Sequence, residues 1–252
     1  MSAAKASSRA VTAVATCLAL VAIAGCSGEP EVERRSALDH GRTLFSSTEA
    51  SVSPLNAYSC STCHAAEAQG AGDTRILPGH VLAGAVDRST FWGGARNDLL
   101  TSINDCRYYF MNATVPWTAD DEPAKALYAY LASLPKTAAG PLPFTVVEVA
   151  QDLPAGDRAQ GASVFERSCR SCHGAVHTGE GRLRDGIPAL PDESVQSLTR
   201  AYGFTKDEVR LTFVEKVRHG AFLGVYGNMP PYSLESLADA DLSALLAYLE
   251  LY

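Results

Sequence analysis

Apolar residues recur at the spacing of a helix along much of the chain, and no segment of any length alternates as a strand would. The clearest example is the range 205–219, where four apolar residues fall on one helical face: Val209, Phe213, Val214 and Val217. Thr205 and Glu208 have the spacing of a capping box, and Gly220 supplies a stop signal. The pattern therefore predicts a helix over 205–219.

The helical pattern occurs twice along the chain. The letters at 41–45 (GRTLF) match those at 161–165 (GASVF), and Met111 and Met229 each lie nineteen residues before a Tyr-Leu pair. Each copy is predicted to contain a short helix, a long loop, an amphipathic helix, a loop with the methionine and a last helix. A repeat of more than 100 residues indicates two similar domains with an all-α fold.

The two copies differ by an insertion and are joined by a proline-rich segment. The first copy carries eleven extra residues, roughly 46–56, whose Ser, Pro and Asn content predicts a surface loop. The last helices are predicted at 122–134 and 239–251. Four prolines within 135–156 predict a connector, with a domain boundary near residue 140.

The N-terminus resembles the export signal of a bacterial lipoprotein. Basic residues precede an apolar stretch at 10–24, and small residues stand directly before Cys26. The resemblance implies a signal peptide at 1–25, acylation of Cys26 and a solvated tether at 26–36. The mature protein would be exported and lipid-anchored to a bacterial cell membrane, facing the periplasm or the cell exterior. A plain signal peptide with an accidental cysteine is the alternative.

Composition and charge exclude several classes of protein. The chain has 252 residues, of which 46% are hydrophobic and 19% charged, as expected of a folded protein. Its net charge is −7, and loss of the two basic residues within 1–25 makes it −9, which disfavours a nucleic-acid partner. The longest apolar stretch, of about 15 residues, is shorter than the roughly 20 that a membrane-spanning helix needs, so a polytopic membrane protein is excluded.

Two copies of the pattern Cys-x-x-Cys-His carry the candidate chemistry. They are Cys60, Cys63 and His64 in the first half, and Cys169, Cys172 and His173 in the second. This spacing is typical of c-type haem attachment. Two thiols form thioethers with the vinyl groups of one haem, and the next residue presents its imidazole to the iron. We therefore expect two covalently bound haem c groups, with His64 and His173 as iron ligands.

Three other uses of paired cysteines fit this pattern less well. A four-cysteine zinc site has its pairs closer together, and it gives no reason for a histidine at the same offset in both copies. A redox-active disulfide needs one Cys-x-x-Cys in a strand–helix context, which the sequence lacks. Structural disulfides do not require the histidines.

With these motifs, nearly all of 37–252 resembles a di-haem c-type cytochrome, that is, two class I cytochrome c domains in tandem. The resemblance implies a first domain at 37–140, a linker at 141–155 and a second domain at 156–252. It also implies that an N-terminal and a C-terminal helix cross in each domain and enclose the haem.

The resemblance further implies residues that act around each iron. A methionine usually takes the second axial position, and Met229, within Gly-Asn-Met-Pro-Pro-Tyr, fits this role in the second domain. A proline after the motif usually accepts a hydrogen bond from the ligating imidazole through its carbonyl, and Pro78 and Pro188 match that position. His80, just after the first of these prolines, is expected to be an exposed loop residue.

The first haem has two candidate sulfur ligands. The repeat alignment favours Met111, which takes the place of the second methionine. Yet Ile-Asn-x-Cys at 103–106, followed by Met-Asn, is similar to a segment of thiosulfate dehydrogenases and related sulfur-oxidation cytochromes, in which the cysteine is the ligand. Cys106 is therefore the alternative to Met111. The chain departs from that segment at Tyr109 and Ala113, where an arginine and a glycine are expected.

These features predict a membrane-anchored carrier that transfers electrons between redox protein partners. The alternative is an enzyme, a dehydrogenase of thiosulfate or a similar small sulfur anion. In that case Cys106 would be the catalytic haem ligand, and Arg96 and Arg107 would compensate for the acidic net charge. A di-haem peroxidase is disfavoured because two sulfur ligands are available to close the iron site.

Overall fold

The computed structural model describes residues 31–136, 141–222 and 227–252, without the side chains of 31–35. All regular structure in these ranges is helical, and the one pair of bridged extended residues, Phe91 and Arg96, stands alone. The all-α prediction is confirmed. No helix in the described part of the chain is long and apolar enough to cross a membrane.

Several predictions about the chain fall on residues that the structure does not describe. The signal at 1–25, Cys26 and the first part of the tether lie outside the described residues, as does the boundary near residue 140.

The helices follow the predicted order in both halves. The first half contains α1 (Glu31–Ser46), α2 (Cys60–Cys63), α3 (Leu99–Tyr109) and α4 (Glu122–Ser133). The second half contains α5 (Arg158–Ser168), α6 (Arg170–His173), α7 (Asp192–Tyr202), α8 (Lys206–His219) and α9 (Asp239–Tyr248). Single 3-10 turns occur at Thr48–Ala50, Ala85–Asp87 and Trp92–Gly94. The short helices α2 and α6, which carry the cysteine motifs, and helix α7 had no counterpart in the predicted order.

Helix α1 begins earlier than the predicted domain boundary. It starts at Glu31, within the segment assigned to the tether at 26–36. The letters at 31–36 (EVERRS) are mostly good helix formers, and acidic residues at the start of a helix interact favourably with its dipole. The later part of the segment predicted as a tether is therefore helical and continuous with the first half of the chain.

The first and last helices cross in each half, as predicted, and a glycine lies at each crossing. A Cβ atom placed on Gly41 of α1 would lie 2.0 Å from the carbonyl oxygen of Ala126 on α4. A Cβ atom on Gly161 of α5 would lie 2.0 Å from the carbonyl oxygen of Ala244 on α9. Because no side chain fits at such distances, the matched glycines allow the two backbones to approach closely.

An aromatic pair packs beside each crossing. The rings of Phe45 and Tyr130 have centroids 5.4 Å apart, and those of Phe165 and Tyr248 are 5.7 Å apart. All four side chains belong to, or pack against, the apolar core of their half. The repeat seen in the letters is thus a repeat of packing.

Helix α8 confirms the amphipathic pattern of the second half. The side chain of Thr205 accepts a hydrogen bond from the N–H of Glu208, and Gly220 ends the helix with a φ of 53°. The four predicted apolar positions are all buried in the second core: Val209, Phe213, Val214 and Val217.

The two halves pack against each other along several backbone contacts. The N–H of Ile76 donates to the carbonyl oxygen of Arg167 at 2.8 Å, and the Arg167 Nε donates to the carbonyl oxygen of Thr74 at 2.6 Å. On another side, the Asn228 side-chain amide donates to the carbonyl oxygen of Tyr109 at 3.1 Å. These contacts bring the two Cys-x-x-Cys-His motifs to a common interface.

Candidate haem-binding sites

Helix α2 carries the first pair of cysteines and is followed by the histidine of the motif. The N–H of His64 donates to the carbonyl oxygen of Cys60 at 2.9 Å, and at the other end the N–H of Ser59 donates to the Thr62 hydroxyl at 3.0 Å. Cys60, Cys63 and His64 line one pocket. This single turn therefore presents two thiols and an imidazole to the same cavity.

The His64 imidazole is held in the tautomer that binds a metal through Nε2. Its Nδ1 lies 2.7 Å from the carbonyl oxygen of His80. Because a carbonyl oxygen only accepts hydrogen bonds, Nδ1 carries the proton and the Nε2 lone pair is left for the iron. Burial lowers the pKa of His64, which favours the neutral ring that ligation requires.

The prediction that Pro78 provides this acceptor is wrong. The N–H of Gly79 donates to the carbonyl oxygen of Cys63 at 3.0 Å, and the acceptor for the imidazole comes one residue later. In the second half the prediction is confirmed, because the His173 Nδ1 lies 2.9 Å from the carbonyl oxygen of Pro188. The two loops thus perform the same task with acceptors at different offsets from their histidines.

Both candidate sulfur ligands of the first site line its pocket. Cys106 is in the last turn of α3, and Met111 follows the end of the helix and is 4% exposed. Burial, followed by the charge of Cys60, raises the pKa of Cys106 to about 12. This thiol is therefore protonated at neutral pH unless a metal ion draws off its proton.

The first pocket has the lining that a haem needs, because it is mostly apolar. It contains two thiols and an imidazole from one motif, and two further sulfur-bearing residues from α3 and the segment after it. Within the described ranges the cysteines are free thiols, available for thioethers: Cys60, Cys63, Cys106, Cys169 and Cys172. The donor set fits haem c.

Part of the linker closes the first pocket. We call residues 142–147 the strap. Leu142 and Phe144 of the strap line the pocket, and the carbonyl oxygen of Pro143 lies 2.8 Å from the His80 Nε2. Because His80 also supplies the backbone acceptor for the His64 imidazole, the strap is fixed to the loop that orients this ring.

The other end of the strap is fixed to the second half. Both the N–H and the hydroxyl of Thr145 donate to the carboxylate of Glu235, the N–H at 2.8 Å. The carbonyl oxygen of Val147 lies 2.6 Å from the His219 Nε2. The strap is thus a structured wall of the first pocket that is hydrogen-bonded to both halves of the chain.

The second site repeats the donor set with a methionine loop. Cys169 ends α5, and Cys172 and His173 belong to α6. Burial lowers the pKa of His173, as it does in the first site. The loop of Met229 is fastened by the N–H of Ala221, which donates to the Met229 carbonyl oxygen at 2.8 Å. The predicted ligands are therefore held on two well-anchored segments.

Each half also contains a buried arginine near the end of the helix that precedes the methionine. Arg107 is 6% exposed, and its Nε donates to the carbonyl oxygen of Ala50 at 2.8 Å. Arg218 is 2% exposed, and its guanidinium donates to the carbonyl oxygen of Leu237 at 2.7 Å and to Asp239 at 2.5 Å. These arginines tie the helix to segments elsewhere in the fold.

The two sites meet at one buried cluster. Tyr58, Phe110 and Met111 of the first half are buried in it, and Cys172 and Phe222 of the second half pack against them. The interface therefore contains a cysteine of the second motif next to a candidate ligand of the first.

Three contributions to the first pocket were not predicted. They are the backbone carbonyl of His80, the strap, and the two prolines after Met229, Pro230 and Pro231, which line the pocket from the second half. Each depends on contacts between distant parts of the chain, and no local pattern marks them. The buried arginines could have been found in the sequence, because they occupy similar positions in the two copies. Arg107 lies two residues before the end of α3, and Arg218 lies one residue before the end of α8.

The second half matches a known family. Residues 156–249 match the family model described as cytochrome C oxidase, cbb3-type, subunit III. The matched range includes α5 to α9 and the second motif, Cys169–His173. The described residues are thus all-α, and residues 156–249 carry a cytochrome c domain, which implies covalently bound haem c.

Among solved structures, the chain is similar to thiosulfate dehydrogenase (TsdBA) from Marichromatium purpuratum in its as-isolated form. The sequence identity is 19% and the TM-score is 0.42. The similarity covers 89% of this chain and 48% of that one, so this chain spans about half the length of that protein. No curated protein matches the chain.

Proposed function

We propose that the protein is a di-haem cytochrome c, anchored to a bacterial membrane through Cys26, that transfers electrons between redox partner proteins. The observation that supports it best is the duplication of one donor set. In both halves a pair of cysteines precedes a buried histidine whose Nδ1 is hydrogen-bonded to a backbone carbonyl, at 2.7 Å for His64 and 2.9 Å for His173. This arrangement leaves Nε2 for iron in both sites.

Haem c supplies one-electron chemistry when bound. The chain determines where each haem is held and which groups surround it. The residues that would hold the two groups through thioethers are Cys60, Cys63, Cys169 and Cys172. His64 and His173 would be the proximal ligands. On the other face we assign Met229 in the second site and Met111 in the first, with Cys106 as the alternative. A neutral thioether favours ferrous iron and raises the potential.

The packing between the sites suits a carrier. Tyr58, Phe110 and Met111 form a buried apolar cluster, and Cys60 of the first motif and Cys172 of the second both pack against it. An apolar junction between the two motifs suits a carrier, in which the chain sets the surroundings of each haem without proton chemistry of its own side chains.

Haem content tests the cofactor assignment. In protein purified from a host equipped for cytochrome c maturation, a pyridine haemochrome assay should find two haems per chain. The C60A/C63A and C169A/C172A variants should each retain one, and a redox titration of the wild type should show two one-electron waves. Protein without covalently bound haem contradicts the proposal.

Fractionation tests the anchor and the partner. The wild type should partition with membranes, whereas a Cys26→Ser variant should be released in soluble form. We also expect a partner with a positively charged docking patch, because the mature chain would carry a net charge of −9. Electron exchange with such a partner should slow as salt is added, and a salt-independent rate contradicts this part.

One observation favours a second function, the oxidation of thiosulfate or a similar small sulfur anion. Cys106 lines the same pocket as His64, as a catalytic thiolate ligand requires. However, the two arginines that would attract an anion are already engaged. Arg96 is paired with Asp105 at 2.7 Å, and Arg107 is bonded to a backbone carbonyl. The structure therefore gives less support to an enzyme than to a carrier.

Variants of the two sulfur residues separate these functions. We expect Cys106→Ser to leave the low-temperature paramagnetic resonance spectrum and electron transfer unchanged, and Met111→Leu to remove a methionine charge-transfer band in the near infrared. If Cys106→Ser instead removes a thiolate signal and abolishes thiosulfate-dependent reduction of the protein, the enzyme is the correct function.

A further inference from the structure

Two asparagines join the methionine segments of the two sites. Asn112 directly follows Met111, and Asn228 directly precedes Met229. The side-chain NH₂ group of Asn228 donates to the side-chain oxygen of Asn112 and to the carbonyl oxygen of Tyr109, each at 3.1 Å. A side chain beside the proposed ligand of the second haem is therefore bonded to the segment that carries the proposed ligand of the first.

Backbone carbonyls fix the orientation of both amide groups. The carbonyl oxygen of Tyr109 only accepts hydrogen bonds, so the NH₂ group of Asn228 faces it. The NH₂ group of Asn112 donates to the carbonyl oxygen of Leu55 at 3.2 Å, which leaves the side-chain oxygen of Asn112 for Asn228. The pair thus has one arrangement of donor and acceptor, set by groups outside the pair.

The insertion of the first copy supplies one end of this chain of hydrogen bonds. Leu55 lies in the inserted range 46–56, which the second copy lacks. Its carbonyl oxygen also accepts a hydrogen bond from the guanidinium of Arg184, in the loop after the second motif. The insertion therefore holds Asn112 and a loop of the second half on one carbonyl group.

Each asparagine is attached to a segment that is fastened close to the end of a helix. After α3, Asn112 has a φ of 53°, and the N–H of Ala113 donates to the carbonyl oxygen of Arg107 at 2.9 Å. After α8, the N–H of Ala221 donates to the carbonyl oxygen of Met229 at 2.8 Å. Because adjacent Cα atoms are a fixed distance of about 3.8 Å apart, a shift of either asparagine moves the methionine next to it.

The contact with Tyr109 acts on either candidate ligand of the first site. Tyr109 is the last residue of α3 and lies between Cys106 and Met111 along the chain. A displacement of this carbonyl therefore affects the backbone on which both sulfur atoms depend, and the inference does not require a choice between them.

We propose that Asn112 and Asn228 are positioning residues that couple the axial ligands of the two haems, so that a change at the ligand of one haem alters the ligand geometry of the other. Coupling between two sites is carried by connected groups, such as a hydrogen-bond network, whose arrangement both sites affect. The inference rests on the proposed function, because it needs haem in both sites.

The test compares N112G, N228A and the double variant with R167Q in purified holoprotein. Glycine removes the side chain of Asn112 and adopts its positive φ without strain. R167Q is the matched control, because it also removes a bond from a side chain of one half to a backbone carbonyl of the other. That bond joins Arg167 to Thr74, outside both methionine segments.

The measurement reports the axial ligands of each haem separately. Haem content is determined first. Low-temperature paramagnetic resonance then gives the g values of each oxidised haem, which depend on the orientation of its axial ligands. The signals of the first haem are those missing from C60A/C63A.

The expected changes cross from one half to the other. N228A alters the second half, yet it should shift the g values of the first haem, and N112G should likewise shift those of the second. In the double variant, each shift should be smaller than the sum of the shifts in the single variants, because both substitutions remove the same hydrogen bond. R167Q should leave both sets of g values unchanged.

Three results would overturn the inference. The first is a pair of single variants with two haems in which each change is confined to the haem of the substituted half. The second is additive shifts in the double variant. The third is the same shifts in R167Q, which would assign them to looser packing of the two halves.

A further variant decides if neither asparagine variant retains two haems. Met229→Leu removes the proposed ligand of the second haem, so it should shift the g values of the first haem. Unchanged g values of the first haem would overturn the inference. A wild type without covalently bound haem contradicts the proposed function itself.

Discussion

Gly79 lies directly against the imidazole of His64. A Cβ atom placed on Gly79 would be 2.2 Å from the ring Cε1 and 2.4 Å from Nδ1. The loop can therefore pass beneath the ring and offer its next carbonyl to Nδ1 only because this position lacks a side chain.

Gly79→Ala should displace the proximal imidazole of the first site. The added methyl group overlaps the ring, so we expect loss of the hydrogen bond to His80 and weaker ligation by His64. In purified protein, the haem that we propose for the first site should be missing or should show a high-spin spectrum. Gly72→Ala is the control, because a Cβ there meets nothing within 4 Å. A normal low-spin spectrum of both haems in Gly79→Ala would contradict this account.

The helix crossings should be intolerant of any side chain. Gly41→Ala and Gly161→Ala each place a methyl group on a backbone carbonyl, so the helices must separate. We expect each to lower the free energy of unfolding by at least about 1–3 kcal/mol, the usual cost of overpacking. Gly70→Ala, in open space, should change it by less than about 0.5 kcal/mol. Denaturant unfolding measures both, and equal stabilities would show that the crossings are looser than described.

The buried guanidinium of Arg218 should contribute more to the free energy of unfolding than an exposed ion pair does. Arg218→Met leaves the carbonyl oxygen of Leu237 without its donor and Asp239 unpaired. We expect a loss of about 1–3 kcal/mol in the free energy of unfolding, because buried carbonyl oxygens are left without a donor, whereas the Asp239 carboxylate is mostly exposed to water. Arg158→Ala, which removes an exposed pair with Glu250, should cost at most about 1 kcal/mol. Similar costs for the two variants would refute the assignment.

An aromatic stack should couple the stabilities of the two domains. Trp92 of the first half and Phe222 of the second are stacked with centroids 4.6 Å apart and planes 4° apart. A double-mutant cycle with Trp92→Ala and Phe222→Ala should give a coupling of about 0.5–1.5 kcal/mol. Tyr202→Ala, an exposed aromatic on α7, paired with Trp92→Ala should give additive changes. A coupling energy near zero in the first cycle would show that the contact between Trp92 and Phe222 does not stabilise the protein.

Acid should loosen the strap through Glu235. Partial burial raises the pKa of Glu235, but the hydrogen bonds from Thr145 lower it more, so that it lies at about 2. A carboxyl whose folded pKa is depressed stabilises the fold above its unfolded pKa of about 4.3 and loses that effect as the pH falls towards the folded value.

A comparison of Glu235→Gln with the wild type checks this dependence. The wild type should be the more stable at pH 7, and the difference should shrink as the pH falls from about 4.3 to about 2. Glu148→Gln, which removes an exposed carboxylate elsewhere in 141–155, serves as the matched control. A difference that is constant over this range would exclude the Glu235 carboxylate as the cause.

The most predictable features of the site were those contained in a few consecutive residues. Cys60, Cys63 and His64 lie within one turn and its cap, so their spacing alone brings two thiols and an imidazole together. The same holds for Thr205 and Glu208, whose capping interaction spans three positions. Local geometry of this kind survives into the fold because no distant contact is needed to form it.

The acceptor for the proximal imidazole shows why other features were less predictable. Pro78 and Pro188 occupy similar positions after their motifs, yet only the second accepts the hydrogen bond. Which carbonyl accepts the hydrogen bond depends on where the loop turns relative to the imidazole ring. In the first half the acceptor is the carbonyl of His80, two residues after Pro78.

The chain's letters alone determined the helical class, the duplication and the two donor sets, because periodicity, repetition and the Cys-x-x-Cys-His spacing are local properties. Tertiary structure decided which surfaces those donors face. The strap and the prolines after Met229 reach the first pocket from segments that are distant along the chain. Their positions follow from helix crossings and domain packing, which depend on the whole set of contacts at once.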